Sequence, residues 1–485
     1  MSSVRTSLAY SLVDNYLGVV LQLASTLIIS RLLTPDEVGI FAVAAVLAAL
    51  ASTFRDFGVA EYLIQAKELT AERIRAALAA NIAISWFMAA VMTGSSGWVA
   101  DFYRQPGIAE VMRVQAISFL LIPFGAVTIA FFRRELNYRP IFIANLMANI
   151  STFFVAVGAA LAGLGYMSLA WSSLAGVLVT VLASLFMRPK TFPRWPSFSG
   201  IAEVIAFGKH ASGIYLFGQI GKGAPEAIIG RALDMASVAF FSRANGLLEL
   251  FNRTVLRAVL PVCLPYFSEA ARSGAGVKSG YLKASSLLTG IGWPFFAVMG
   301  LLAFSAVRIL YGPQWMPAVA LAQILCVVGM LELPYYLATE VMIAQGRVDQ
   351  SNRLQFFVQS LRVLGLMLAF PFGLVGACWG LVAAGALGAV VSHRFLHQTI
   401  GLRFSDVLKT LAPGVAVAAA TATGPALVLS LTAQTEFNYL LVFAGCSLLA
   451  LLTWLPALRL LRHPLWQEVA GVARQVSKKL RPAAH

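Results

Sequence analysis

Asn245, Glu249, Arg253 and Arg257 lie four residues apart inside an otherwise apolar stretch, so on a helix they form one polar stripe. A second stripe, Ser212, Tyr215, Gln219, Lys222 and Glu226, advances in steps of three and four. A third runs through Asp14, Gly18, Gln22 and Thr26, and Arg55 stands near the end of another apolar run. An arginine or lysine at the centre of a membrane helix costs about 2.5–3.5 kcal/mol on insertion scales, so it faces a wet cavity or a partner. A guanidinium grips phosphate through two parallel N–H bonds, which an ammonium cannot do. Arg55, Arg253 and Arg257 therefore suit the capture of an anionic, phosphate-bearing solute, with Lys222, Gln219 and Gln22 beside them.

Asp14, Glu226 and Glu249 share these stripes and are the candidates for ion coupling, ahead of Glu61, Glu332 and Glu340 elsewhere in the spans. Shorter polar stripes occur at Asn145, Asn149 and Thr152, and at Gln355, Gln359 and Arg362. The competing reading is local pairing, Glu249 with Arg253 and Lys222 with Glu226. Arg31 and Arg231, at span ends, can snorkel to the interface as readily as touch a solute.

What must position these residues is a membrane-embedded bundle. The 485 residues are 59% hydrophobic and 12% charged, against about 25% charged in a soluble domain. Fourteen apolar spans follow one another from 8–33 to 437–460, with 209–230 and 234–266 as the seventh and eighth. The fold class is an all-α polytopic membrane protein, with no polar stretch large enough for a soluble domain of about 50 residues. The N-terminus reads as the start of the first span, not as a signal peptide. The N-terminus, the even-to-odd connections and the tail carry 25 basic residues, while the opposite face carries only Arg31, Arg104, Arg231, Arg243 and Arg308. That bias places both termini in the cytoplasm. The net charge of +15 is thus topology and not a nucleic-acid signal.

From Pro464 the tail reads as a basic amphipathic helix on anionic headgroups. Four scattered cysteines without CxxC spacing, and the lack of a P-loop or HExxH run, leave no expected metal or cofactor.

An offset of 200 residues aligns residues 28–50 with 228–250, identical at nine of 23 positions including Arg31/Arg231. Six spans separate the copies, so they cross the membrane in the same direction, the parallel type of repeat. The expected organisation is an N-lobe over 1–190 (six helices), a cytoplasmic connector over 191–208 and a C-lobe over 209–400 (six helices). A helical hairpin over 401–461 and a basic tail over 462–485 follow.

Five segments in order, ISRLLTPDEVGIFAV, FRDFGVAEYLIQ, IIGRALDMASVAFFSRANGL, LPYFSEAAR and LYGPQWMPAV, resemble the polysaccharide transporter family. These are the O-antigen and exopolysaccharide flippases of the multidrug/oligosaccharidyl-lipid/polysaccharide superfamily. The resemblance spans essentially the whole chain, and the last hairpin matches the fourteen-helix members. It implies a V-shaped pair of six-helix lobes around a cationic lumen. Through that lumen, by alternating access, an oligosaccharide on an undecaprenyl-pyrophosphate carrier crosses the bacterial inner membrane from cytoplasmic to periplasmic leaflet. Membrane lipids, a polysaccharide polymerase and chain-length machinery are the further partners it implies. Arg55, in the FRDFG segment, matches a lumen arginine position of the superfamily's lipid flippases. Arg253 and Arg257 match no family motif and rest on the stripe alone.

Two transport alternatives share the fold: a cation-coupled multidrug exporter and a flippase for lipid-linked peptidoglycan precursors. The first favours a lumen of carboxylates and aromatics, against which the arginines count. An enzyme such as a membrane glycosyltransferase or polymerase needs acidic groups on sizeable external loops. The external connections here are mostly under about ten residues, so no enzymatic activity is expected.

Overall fold

The computed structural model describes residues 4–471 apart from 57, 67, 191, 194, 206–212, 274–275 and 433–438. Ser212, the side chains of Glu61 and Tyr215, and the tail beyond 471 lie outside that description. The first helices are α1 (Val4–Leu32), α2 (Pro35–Asp56), α3 (Val59–Gln65), α4 (Ala71–Tyr103), α5 (Pro106–Arg134), α6 (Tyr138–Leu161) and α7 (Met167–Phe186). Next come α8 (Gly213–Ala232), α9 (Met235–Phe251), a π-helical turn (Asn252–Leu256), α10 (Arg257–Ser273), α11 (Val277–Leu301) and α12 (Ala303–Leu310). The last are α13 (Ala318–Glu332), α14 (Ala338–Ala344), α15 (Val348–Ala369), α16 (Gly373–Ile400), α17 (Phe404–Leu431) and α18 (Tyr439–Leu460). Every element found among the described residues is helical.

Among the described residues, eleven helical stretches are long and apolar enough to cross a membrane. One of them, Val348–Ile400, is the hairpin of α15 and α16, turned by a 3-10 segment at Phe370–Phe372 and by Gly373 at φ 74°. A Cβ on Gly365 or on Gly380 would strike the backbone of the other, so bare glycine faces let these two helices cross closely. The expected seventh and eighth spans are helical as α8 and the α9–α10 run, yet neither is among the eleven. Lys222, Glu226, Arg231, Arg243, Glu249, Arg253 and Arg257 lower their hydropathy.

Chain contacts divide the molecule into two compact units, Met1–Ser242 and Arg243–His485. The first unit reaches past the connector because α8 packs on α2. There a Cβ on Gly39 would overlap the Met235 carbonyl, and one on Gly230 would crowd Val43 at 2.9 Å. Tyr103 at the end of α4 donates to the Ala227 carbonyl across 3.2 Å.

The connector is pinned to the same unit. Ser199 donates to Glu72 at 2.8 Å, Ser197 N–H to the Arg75 carbonyl at 3.2 Å, and Phe192 stacks edge-on against Phe131 at 5.3 Å. Arg134 closes the end of α3 by donating to the Leu63 and Ala66 carbonyls, both at 2.7 Å.

The 200-residue repeat is visible as local geometry. Thr34 caps α2 through a reciprocal box with Glu37, whose carboxylate accepts from Thr34 N–H at 2.8 Å. At the offset position Asp234 caps α9, accepting from Ser237 N–H at 2.7 Å. The turn bonds match as well: Leu33 N–H to Ile29 carbonyl is 2.9 Å, and Leu233 N–H to Ile229 carbonyl is 2.8 Å. Of the nine identical pairs, Ile29/Ile229, Val38/Val238 and Ala44/Ala244 are buried in both copies, so what repeats is a packed helix–turn–helix corner.

In the second unit, the expected span 316–344 is broken. Pro334 has no N–H and leaves the Met330 carbonyl, four residues back, without its helical donor. Trp293 of α11 supplies one at 2.8 Å, while Tyr281 and Ser285 both donate to the Pro334 carbonyl at 2.8 Å. Such substitute donors make a helix break tolerable at membrane depth.

Beyond α18 the chain turns at His463 into a helix over 464–471. Leu465 and Trp466 enter an apolar cluster with Val417, Leu458 and Ile291. Lys283 pairs with Glu468 at 2.9 Å. The first part of the expected amphipathic tail is thus helical and lies against its own protein.

Candidate functional site

In the first unit the α1 stripe faces α6. Asn145 donates to Asp14 at 2.7 Å, and a Cβ on Gly18 would meet the Asn149 amide at 3.4 Å. Two stripes read separately in the sequence are therefore one packed polar seam. Gln22, further along the α1 stripe, is exposed. Arg55 sits in the last turn of α2, its guanidinium 5.4 Å from the centroid of the Phe119 ring on α5. That is a cation–π placement that holds a charge away from bulk water. Arg31 at the end of α1 donates to the Leu27 carbonyl, and Arg231 at the end of α8 lies 5.1 Å over Phe102. On α8, Lys222 is exposed, Gln219 half-buried, and Glu226 buried beside Pro225.

In the second unit α9 runs without interruption into the π-helical turn and α10. Residues four apart drift by about 40° per step on a regular helix, or about 120° from position 245 to position 257. The π turn absorbs one residue, about 100° of rotation, and so brings Arg257 back nearly in line with Asn245. Arg253 lies inside that widened turn and Arg257 is the exposed residue that follows it. Glu249 accepts from Asn252 at 2.8 Å.

The second unit also gathers polar groups around the broken helix. Glu332, just before the break, pairs with Arg362 of α15 at 3.8 Å. Gln359 donates to Gln355 at 3.3 Å, and Gln355 to Thr339 at 3.0 Å. Tyr336 lies within the break, between Glu332 and Glu340 in the chain. The stripe at Gln355, Gln359 and Arg362 is thus the partner of the α13–α14 break. Among the described residues no three His, Cys, Asp or Glu side chains come close enough to hold a metal ion.

Three features escaped the sequence reading: the break at Pro334, the π turn, and the ring pair around Arg243, whose guanidinium lies 5.3 and 5.0 Å from the Tyr311 and Trp315 centroids. A proline flanked by Glu332 and Glu340 inside a membrane-length run was the available signal for the first. An arginine opposite Val43 in an otherwise apolar repeat position was the signal for the third.

The fold is shared with solved membrane transporters. The structure titled lipid II flippase MurJ, inward closed conformation, matches with a TM-score of 0.74 at 11% identity, over 93% of this chain and 99% of that one. An inward-facing multidrug resistance MATE family transporter of the MOP superfamily matches with a TM-score of 0.64 at 16% identity, over 81% and 96%. A polytopic, all-α membrane protein of this fold is what the helices and their embedded charges define.

The polysaccharide biosynthesis protein family matches residues 28–320, and the chain belongs to that family. Similar curated proteins include the lipopolysaccharide biosynthesis protein WzxC of Escherichia coli (strain K12), 22% identical over 79% of each chain. The teichuronic acid biosynthesis protein TuaB of Bacillus subtilis (strain 168) is 20% identical over 73% of this chain and 74% of that one. The succinoglycan biosynthesis transport protein ExoT of Rhizobium meliloti (strain 1021) is 24% identical over 59% and 58%.

Proposed function

We propose that this protein moves an undecaprenyl-pyrophosphate-linked oligosaccharide from the cytoplasmic to the periplasmic leaflet of the bacterial inner membrane, for O-antigen, capsule or exopolysaccharide synthesis. The observation that carries this reading is the placement of Arg55, Arg253 and Arg257 on helices of a polysaccharide biosynthesis protein. Arginine at membrane depth is costly unless it serves an anion or lines water, and a phosphate oxyanion is a group that a guanidinium grips through two parallel N–H bonds. The names of the relatives, a lipopolysaccharide biosynthesis protein and a succinoglycan transport protein, support a cargo of this class.

The cargo crosses chemically unchanged. Its headgroup engages the arginines while the polyprenyl chain stays in lipid, and the cations are exposed to the two membrane faces in turn. Binding of a proton or a cation at Asp14, Glu226 or Glu249 biases the return, and the carboxylates Glu332 and Glu340 flanking the helix break join that set. The basic excess on the N-terminus, alternate loops and tail supports cytoplasmic termini.

Complementation of a strain lacking the gene tests the assignment. Arg55→Ala and Arg257→Ala should abolish polymer export while membrane abundance of the protein stays unchanged. Normal export by both variants removes the site. Normal export with altered drug resistance points instead to the multidrug-exporter reading.

A further inference from the structure

Two large aromatic side chains of the connector face outward although the connector itself is firmly held. Trp195 is 79% exposed and Phe198 76%. On either side of them the chain is fixed. Phe192 is buried against Phe131, Ser197 N–H donates to the Arg75 carbonyl, Ser199 donates to Glu72, and Glu203 pairs with Arg73 at 3.7 Å. Pro193 and Pro196 restrict the backbone next to Trp195. A fixed backbone thus displays the two rings.

Their depth follows from α4. Residues 76–100 carry no charged side chain and span about 37 Å, against a hydrocarbon core of about 30 Å. Arg75 therefore stands within about 7 Å of the hydrocarbon edge, and Glu72 about 4.5 Å further out. The connector is bonded to both, which sets it at the level of the headgroups. Phe186, the last residue of α7 and exposed, brings the chain to the same edge four residues before Lys190. Bare aromatic rings are unfavourable in water, whereas the headgroup level is where tryptophan is enriched.

Charge points the same way. Lys190 stands two residues before Phe192, Arg133 two residues beyond the Phe131 ring that Phe192 meets, and Arg75 holds the connector through its carbonyl. All three are exposed, and among the described residues none of them pairs with a carboxylate. Glu72 and Glu203 are engaged by Ser199 and Arg73.

We propose that the connector is a lipid anchor: Trp195 and Phe198 insert at the boundary of headgroups and acyl chains, and Arg75, Arg133 and Lys190 bind the phosphates of anionic phospholipid. Apolar insertion and attraction to acidic headgroups reinforce each other at such a surface. The anchor does not depend on which solute the protein moves.

The test uses the full-length protein in phosphatidylcholine nanodiscs containing a minor fraction of brominated phospholipid, which quenches tryptophan on contact. The chain has nine tryptophans, so the Trp195 signal is the difference between the wild type and Trp195→Phe. Brominated phosphatidylglycerol should quench that signal more than brominated phosphatidylcholine at the same mole fraction. The preference should be about fivefold for each basic group that reaches a headgroup, and it should shrink as ionic strength rises. Arg75→Gln combined with Lys190→Gln should lower the preference by about fivefold or more while quenching by the neutral lipid persists. Lys190→Gln alone serves if the double variant does not fold.

Equal quenching by the two lipids overturns the anionic assignment and leaves a neutral aromatic anchor. An unchanged preference in the folded variants removes the anion contact from these side chains. A Trp195 signal open to aqueous acrylamide and untouched by either brominated lipid overturns the anchor altogether and leaves this face to a soluble partner. Normal export by Arg55→Ala and Arg257→Ala would sink the cargo reading and leave every one of these outcomes as it stands.

Discussion

The Pro334 carbonyl offers a sharp test of how the broken helix is held. It accepts from Tyr281 and from Ser285, each at 2.8 Å, and both donors are buried. Tyr281→Phe or Ser285→Ala alone leaves the carbonyl one donor, so each should cost about 1 kcal/mol, the net worth of one hydrogen bond. The double variant leaves a buried carbonyl bare, and the desolvation of an unsatisfied group adds about 1–3 kcal/mol. The total is then about 3–5 kcal/mol, with a coupling of about 1–3 kcal/mol between the two sites. Thermal unfolding of the four proteins in nanodiscs measures this directly: the shift in Tm of the double variant should exceed the sum of the single shifts. Equal or smaller shifts would mean that the carbonyl finds water or another donor, and that the two hydroxyls are not what holds the break.

Other substitutions probe the repeated helix corners. Gly39→Val has no room against the Met235 carbonyl and should destabilise the packing of α2 on the start of α9 by about 1–3 kcal/mol, seen as a lower Tm and lower membrane abundance. Thr34→Ala and Asp234→Ala each remove a helix cap and should each cost about 1 kcal/mol; equal losses in unfolding experiments would confirm that the two corners are energetically alike.

His463 is buried between Ser286 and the Leu465 N–H, and burial holds its imidazole below the ordinary histidine range. It is therefore neutral in the fold, and its contribution is present above the unfolded value of about 6.5 and lost as pH falls through the lower folded value. Protection from hydrogen exchange over 463–471, taken relative to the intrinsic rate at each pH, should fall at pH 5.5 compared with pH 7.5, and His463→Gln should flatten that dependence.

Much of the membrane architecture was legible because hydropathy and charge are additive along a chain. The corner repeat was legible for the same reason: Ile29/Ile229 and Val38/Val238 recur because both copies bury them. The stripes predicted which faces are polar, and the pairing of Asn145 with Asp14 joins two of them. The choice of partner was not legible, since it depends on which helices become neighbours. The Gln355–Gln359–Arg362 stripe meets Thr339 and Glu332 only because α15 folds back along the broken helix. Nor does residue spacing announce a π turn. Asn252 to Leu256 contain no proline or glycine to mark a break, and the extra residue shows only in the backbone bonds.

That extra residue sets the rotational phase of everything after it. Deleting a single amino acid between Asn252 and Leu256 lets the backbone close into a regular α-helix without shortening it by more than about 1.5 Å. The packed faces of Cys263 and Phe267 on α10 would keep their register, because the bulge had already discounted that position. An insertion at the same place has no such refuge: it turns the whole of α10 by about 100° and carries Arg257 with it. The segment should accordingly tolerate loss of one residue far better than gain of one.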